Sequence, residues 1–174
     1  MIAASRGRSA PPLRGASALA CVLAVGLSAT LACSSGGGGT GVPVLPAPAA
    51  LTAEFEAQFR ASAAAWNSGN LDAFMADYAR DSLTSYMGGR APVYGWSTIR
   101  GHYEPSFRPG ARRDSLRFEG LAARPLSPTL ALVTARFILH RGDSVTASGP
   151  FTLVMERRPD GWKILHDHTS TDPR

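Results

Sequence analysis

The residues with most to offer chemistry lie near the C-terminus, where His166, His168 and Ser170 follow one another at every second position. Side chains alternate across a β-strand, so Trp162, Ile164, His166, His168 and Ser170 share one face of a strand running from Gly161. Lys163, Leu165, Asp167 and Thr169 take the other. The first face grades from apolar to titratable, which suits the mouth of a pocket. An imidazole titrates near neutral pH, so His166 and His168 are the candidate catalytic residues, either one acting as general acid or base. The plainer alternative is a pair of hydrogen-bonded residues ordering a strand end, and it is the commoner case. A metal would need a third ligand such as His102; with no H-E-x-x-H motif, the sequence specifies no metal site and requires no cofactor. Asp167, on the far face, reads as the partner of an arginine. No Gly-x-Ser-x-Gly elbow is present to support a serine nucleophile.

The elements that must position these residues can be read from periodicity. Phe55, Phe59, Ala63 and Trp66 recur at helical spacing and predict a helix over 52–67, with Glu54 and Glu56 in its first turn and a stop at Gly69. Asn70 can cap a second helix carrying Leu71, Phe74, Met75 and Tyr78. Residues 82–87 suit a short strand. A third helix is expected from Trp96 or Ser97, carrying Ile99, His102 and Tyr103 and ending or kinking before Pro105. Strands follow at 115–125, 130–139, 145–157 and 162–170, separated by turns at Gly142–Asp143 and Pro159–Asp160–Gly161. Helices followed by a meander of antiparallel strands make an α+β domain. Arg136 falls among apolar residues of the second long strand, where it either meets an acid or sits in a contact between subunits; the second is the expectation here.

The N-terminus is a different kind of sequence. Arg6, Arg8 and Arg14 precede an apolar run over 16–32, the layout of an export signal. An uncleaved transmembrane helix is the rival, but it needs about 20 apolar residues. Ala29–Thr30–Leu31–Ala32–Cys33 resembles the lipobox of bacterial lipoproteins, in which the Cys becomes the lipidated first residue. Cys33 is therefore the candidate lipidation site, and the domain is expected outside the cytoplasm on a membrane (periplasmic side if the host has two). The chain divides into a leader over 1–32, a Gly/Ser/Pro-rich tether over 33–50 and a folded domain over 51–174. Losing the leader takes the net charge from +5 to +2. Short arginine pairs without interleaved aromatics give no nucleic-acid interface. With Cys33 the single cysteine left, no intrachain disulfide forms.

Three segments resemble one family. Trp66–Asn67–Ser68–Gly69–Asn70–Leu71–Asp72–Ala73–Phe74 is similar to the helix–turn–helix opening of SnoaL-like domains of the nuclear-transport-factor-2-like superfamily (DUF4440-type). Gly95–Trp96–Ser97–Thr98–Ile99–Arg100 resembles the start of its third helix. The segment from Gly161 to Ser170 resembles its closing strand. The resemblance implies a cone: N-terminal helices packed in a strongly curved, mostly antiparallel sheet, with an apolar pocket and a homodimer. It also places Tyr78, Tyr86, His102 and Tyr103 on elements that wall the cavity, where, with Trp162, they are the candidate ligand contacts. The expected function is a lipid-anchored domain binding a small, largely apolar molecule in its cone. The alternatives are an isomerase, cyclase or dehydratase using His166 or His168, and a dimeric interaction domain with a vestigial pocket. The fold alone does not choose among them.

Overall fold

The computed structural model describes residues 44–89 and 91–173; the leader, Cys33 and most of the tether lie outside the described residues. Proline is tolerated in the first turn of a helix, where its missing N–H has no partner to lose. Helix α1 accordingly opens at Pro48 and runs to Ser68. This is four residues earlier than the apolar spacing predicts, so Glu54 and Glu56 fall past the first turn. Leu51, Phe55, Phe59, Ser62 and Ala65 form its buried stripe. Gly69 closes it at φ 77°, a left-handed conformation that glycine adopts without strain. The Asn70 N–H then bonds back to the Ala65 carbonyl at 2.9 Å.

Helix α2 is short, Leu71–Met75, and the Asn70 side chain caps it by accepting from Ala73 N–H at 3.0 Å. The chain leaves helical geometry there because residues 77–79 run beside the last strand: Ile164 N–H donates to the Asp77 carbonyl, and Ala79 N–H to the Ile164 carbonyl. Strands β1 (Ser85–Met87) and β2 (Val93–Tyr94) precede helix α3, Trp96–Phe107. Helix α3 runs two residues past Pro105 instead of ending before it. The carbonyl that Pro105 leaves without a donor belongs to Gly101, which is exposed and has no side chain to crowd the ring. Strands β3 (Ser115–Pro125), β4 (Leu130–Arg141), β5 (Ser144–Arg158) and β6 (Gly161–Thr169) follow as a meander.

The sheet order is β2-β1-β6-β5-β4-β3. Strand β1 joins β6 in parallel, Ser85 beside His166 and Met87 beside His168, and the other pairings are antiparallel. The expectation of a strongly curved sheet wrapped into a cone is corrected here. The sheet is mixed and open, neither closed nor strongly curved, with β2 and β3 as edges that do not meet. Its core lies between α1 and one face of the sheet. Phe55, fully buried, has its ring 5.2 Å from that of Trp162, and Phe59 lies 5.4 Å from Phe118. Val133, Leu153, Met155 and Ile164 complete the inner face.

One irregularity in β6 controls everything that follows. Met155 pairs with Ile164, but the next residue back on β5, Val154, pairs with His166, so Leu165 is left over as a β-bulge. A single extra residue exchanges the two faces of the strand beyond it. Trp162 and Ile164 point inward before the bulge, and Asp167 does so after it. His166 and His168 therefore point outward, opposite to the face expected for them. Of the two readings of Arg136, the structure shows the acid: its guanidinium pairs with the carboxylate of Asp172 in the C-terminal tail.

Candidate functional site

A cavity of about 220 Å³ lies between α1, α3 and the inner face of the sheet. Six aromatic rings build its apolar wall: Phe59, Trp66, Phe74, Phe118, Phe137 and Phe151. It is a half-open recess in an open sheet, which overturns the expectation of a small molecule bound in the pocket of a cone. The lipid anchor attached to that expectation falls on Cys33, outside the described residues.

The polar part of the wall comes from Tyr78, Tyr86, Tyr103, Asp167, Thr169 and, further along, Asp77. Asp167 is 6 % exposed. Its Oδ2 accepts from the Tyr78 hydroxyl at 2.6 Å and its Oδ1 from the Thr169 hydroxyl at 2.7 Å. The Tyr78 and Tyr103 hydroxyl oxygens are 3.2 Å apart. Because Tyr78 spends its proton on the carboxylate, Tyr103 is the donor in that second bond. Burial pushes the Asp167 carboxyl up from its ordinary value, and the Tyr78 and Thr169 hydroxyls and the nearby His166 and His168 pull it back only in part. Burial, and after it the Asp167 charge, drive the phenols of Tyr78 and Tyr103 well above the usual tyrosine value, so both stay protonated donors. Tyr86 is raised by the same two causes. Among the described residues Tyr86 makes no side-chain hydrogen bond, which leaves its hydroxyl available to a ligand.

Asp77 is a second carboxyl on the same wall. Gln58 Nε2 donates to its Oδ1 at 2.8 Å, yet burial still raises its pKa over the lowering by Gln58, Ser62 and Lys163. A buried carboxyl whose pKa is raised by burial, in a partly apolar recess, can give or take a proton from a bound molecule. An undonated phenol beside it can support oxygen charge as that proton moves.

The sequence-predicted residues divide in two. Tyr78, Tyr86 and Tyr103 come together on the cavity wall. His102 lies behind them, its ring 5.4 Å from Tyr86 and 5.8 Å from Tyr103, and is not part of the lining. Trp162 packs against Phe55 beneath the Arg157 guanidinium, away from the recess, with its buried Nε1–H unpartnered. His166 and His168 are on the outer face, His166 Nδ1 lying 2.8 Å from Ser85 Oγ. Asp77, Asp167 and Thr169 are the residues that sequence reasoning missed. Asp167 reads from the sequence as the partner of an arginine, and among the described residues no arginine pairs with it. Strict alternation has no means of placing a bulge at Leu165, and nothing else in the sequence marks it.

Comparison with known proteins gives the same fold. No curated protein matches this chain. An NTF-2-like protein of unknown function from Shewanella oneidensis MR-1 is 27% identical, with a TM-score of 0.59 over 69% of this chain and 98% of that one. An NTF2-like protein from Pseudomonas putida KT2440 is 21% identical (TM-score 0.57, covering 70% and 87%). A cystatin-like-fold protein from Burkholderia xenovorans LB400 is 22% identical (TM-score 0.56, covering 72% and 94%). The sequence model described as "SnoaL-like domain" matches residues 56–173, from within α1 to the end of the C-terminal tail. That span takes in every strand and every wall of the recess, and the chain belongs to the SnoaL-like domain family.

Proposed function

We propose that the recess is a proton-transfer site for a small molecule carrying one carbonyl group on a compact apolar frame. Asp167 is the acid–base group. Tyr86 donates to the carbonyl oxygen, and the Tyr103–Tyr78 pair fixes the Asp167 carboxyl in place. The observation that carries this reading is the inward-facing, 6 % exposed Asp167 carboxyl tied to Tyr78 at 2.6 Å. The cavity volume of about 220 Å³ is below the range of drug-sized sites, about 300–1,000 Å³, so the molecule is small.

The test uses 2-tetralone, a compact enolisable aromatic ketone, and follows its exchange of α-hydrogen for solvent deuterium by NMR. The protein should accelerate exchange. Asp167→Asn should remove the acceleration by ~10²–10⁴-fold, the usual share of general acid–base catalysis, and Tyr86→Phe should lower it less. Exchange that is as fast with Asp167→Asn as with the unaltered protein would rule out Asp167 as the base.

Export and anchoring remain part of the proposal for the whole chain. The basic and apolar leader and the Ala32–Cys33 junction support lipidation at Cys33. Cys33→Ser should move the protein from the membrane fraction to the soluble one. Retention of the unlipidated variant in the membrane would dismiss the anchor.

A further inference from the structure

The bulge that turns Asp167 inward leaves an unusual set of side chains on the outer face. Ser85 and Met87 alternate outward on β1, and His166 and His168 do so on β6. Parallel pairing sets Ser85 beside His166 and Met87 beside His168. Neighbouring strands are about 4.8 Å apart, and alternate residues of one strand about 6.6 Å apart. The two imidazoles and the thioether of Met87 thus occupy three corners of one small patch, and Ser85 holds the fourth. Tyr86, between Ser85 and Met87, points the other way into the recess.

We propose that this patch binds one cuprous ion through His166 Nε2, a ring nitrogen of His168 and Met87 Sδ. Three features support it. First, metal-bound imidazoles commonly donate their second N–H to a fixed acceptor, which selects the tautomer and aims the ring. Ser85 Oγ, 2.8 Å from His166 Nδ1, is placed to accept Nδ1–H in the tautomer that metal binding selects, the one whose Nε2 lone pair is free. Second, His168 makes no side-chain hydrogen bond among the described residues, is exposed, and is free to turn toward a shared ion. Third, the ligand set chooses the metal. A thioether is soft and favours Cu(I), whereas zinc takes four ligands drawn from thiolate, imidazole and carboxylate. No group of three or more His, Cys, Asp or Glu side chains that could hold a metal is present among the described residues. The thioether supplies the third ligand. The patch lies on the face of the sheet opposite the recess.

The experiment titrates the full-length protein with Cu(I) under anaerobic conditions against bicinchoninate, whose coloured cuprous complex reports the metal it loses. Cys21 and Cys33 can bind Cu(I) themselves, so the titration is made in the Cys21→Ser/Cys33→Ser protein. That protein should withdraw one equivalent of copper. Met87→Leu and His168→Gln, both on the outer surface, should each weaken binding at least tenfold while leaving the melting temperature of the metal-free protein in place. The copper X-ray absorption spectrum should show a sulfur neighbour that Met87→Leu removes. Failure to withdraw copper, or binding that neither variant weakens, overturns the site. Binding weakened by His168→Gln but not by Met87→Leu, with no sulfur neighbour, overturns the thioether ligand and with it the cuprous assignment. Deuterium exchange on 2-tetralone should be unchanged by Met87→Leu, which separates this patch from Asp167.

Discussion

At the scale of the residue, the account rests on what burial does to two carboxyls. Asp77 and Asp167 both bind their protons more tightly in the fold than a free aspartate does. A group whose pKa is raised by folding costs nothing below its unfolded value, about 4, and weighs against the fold increasingly as pH rises through its folded value. The asparagine variant has no proton to lose. The stability difference between Asp167→Asn and the unaltered protein should therefore move in the variant's favour between pH 4 and pH 7, as read by denaturant unfolding at each pH. A difference that stays flat, or moves the other way, would mean that Asp167 is not a buried acid. The opposite behaviour belongs to Asp81, Asp114, Asp160 and Asp172, whose carboxyls are lowered first of all by hydrogen bonds from Arg158, Thr146, Lys163 and Ser148 respectively. These exposed pairs contribute above the unfolded pKa and fade as the solution is acidified.

At the scale of the element, β6 and its neighbours explain both what sequence reasoning reached and what it missed. Hydrophobic spacing located the helices and all four long strands, because each has an apolar face that must be buried: Phe55 and Phe59 on α1, Val133 on β4, Leu153 on β5. It placed the turns as well, where glycine and proline restrict the backbone. It could not count the residues in a ladder. Leu165 is an ordinary apolar residue, and only the pairing with β5 shows that it is the extra one. All assignments beyond it, from His166 to Ser170, were displaced by one face. Pro105 does not end α3 for a local reason, since its lost hydrogen bond falls on solvent at Gly101. Strand β5 also holds the C-terminal tail that follows β6: Ser170 N–H donates to the Pro150 carbonyl at 3.0 Å and Asp172 N–H to the Ser148 carbonyl at 2.8 Å. Gly149 lies between those bonds, and a Cβ there would come within 1.8 Å of the Ser170 carbonyl oxygen. Gly149→Ala should destabilise the domain by ~1–3 kcal/mol, the range for forcing extra volume into a packed site. It should also speed amide exchange at Ser170 and Asp172. Unaltered exchange there would show that the tail does not depend on that close approach.

At the scale of the whole molecule, the topology sets the limits of function. A closed cone would sequester a ligand from water. An open sheet with free edges at β2 and β3 leaves the recess half-open, so the chemistry it supports uses local burial of Asp167 and its tyrosines rather than complete enclosure. The family resemblance pointed to the right family because two of its three motifs sit at a turn and a helix start, which depend on local residues. Curvature depends on the sum of twists and bulges along the strands, which no motif records. Association into a homodimer is a further proposal that rests on the family resemblance. Sedimentation equilibrium should then give twice the chain mass, and a monomer at all concentrations would reject it. The central claim, that the bulge at Leu165 delivers Asp167 into the recess as its acid–base group, is tested most directly by a site-resolved NMR titration of the Asp167 side-chain carboxyl. The account predicts a midpoint clearly above the ordinary aspartate value of about 4 that shifts when 2-tetralone is added. A midpoint at or below that value, unmoved by the ketone, would contradict it.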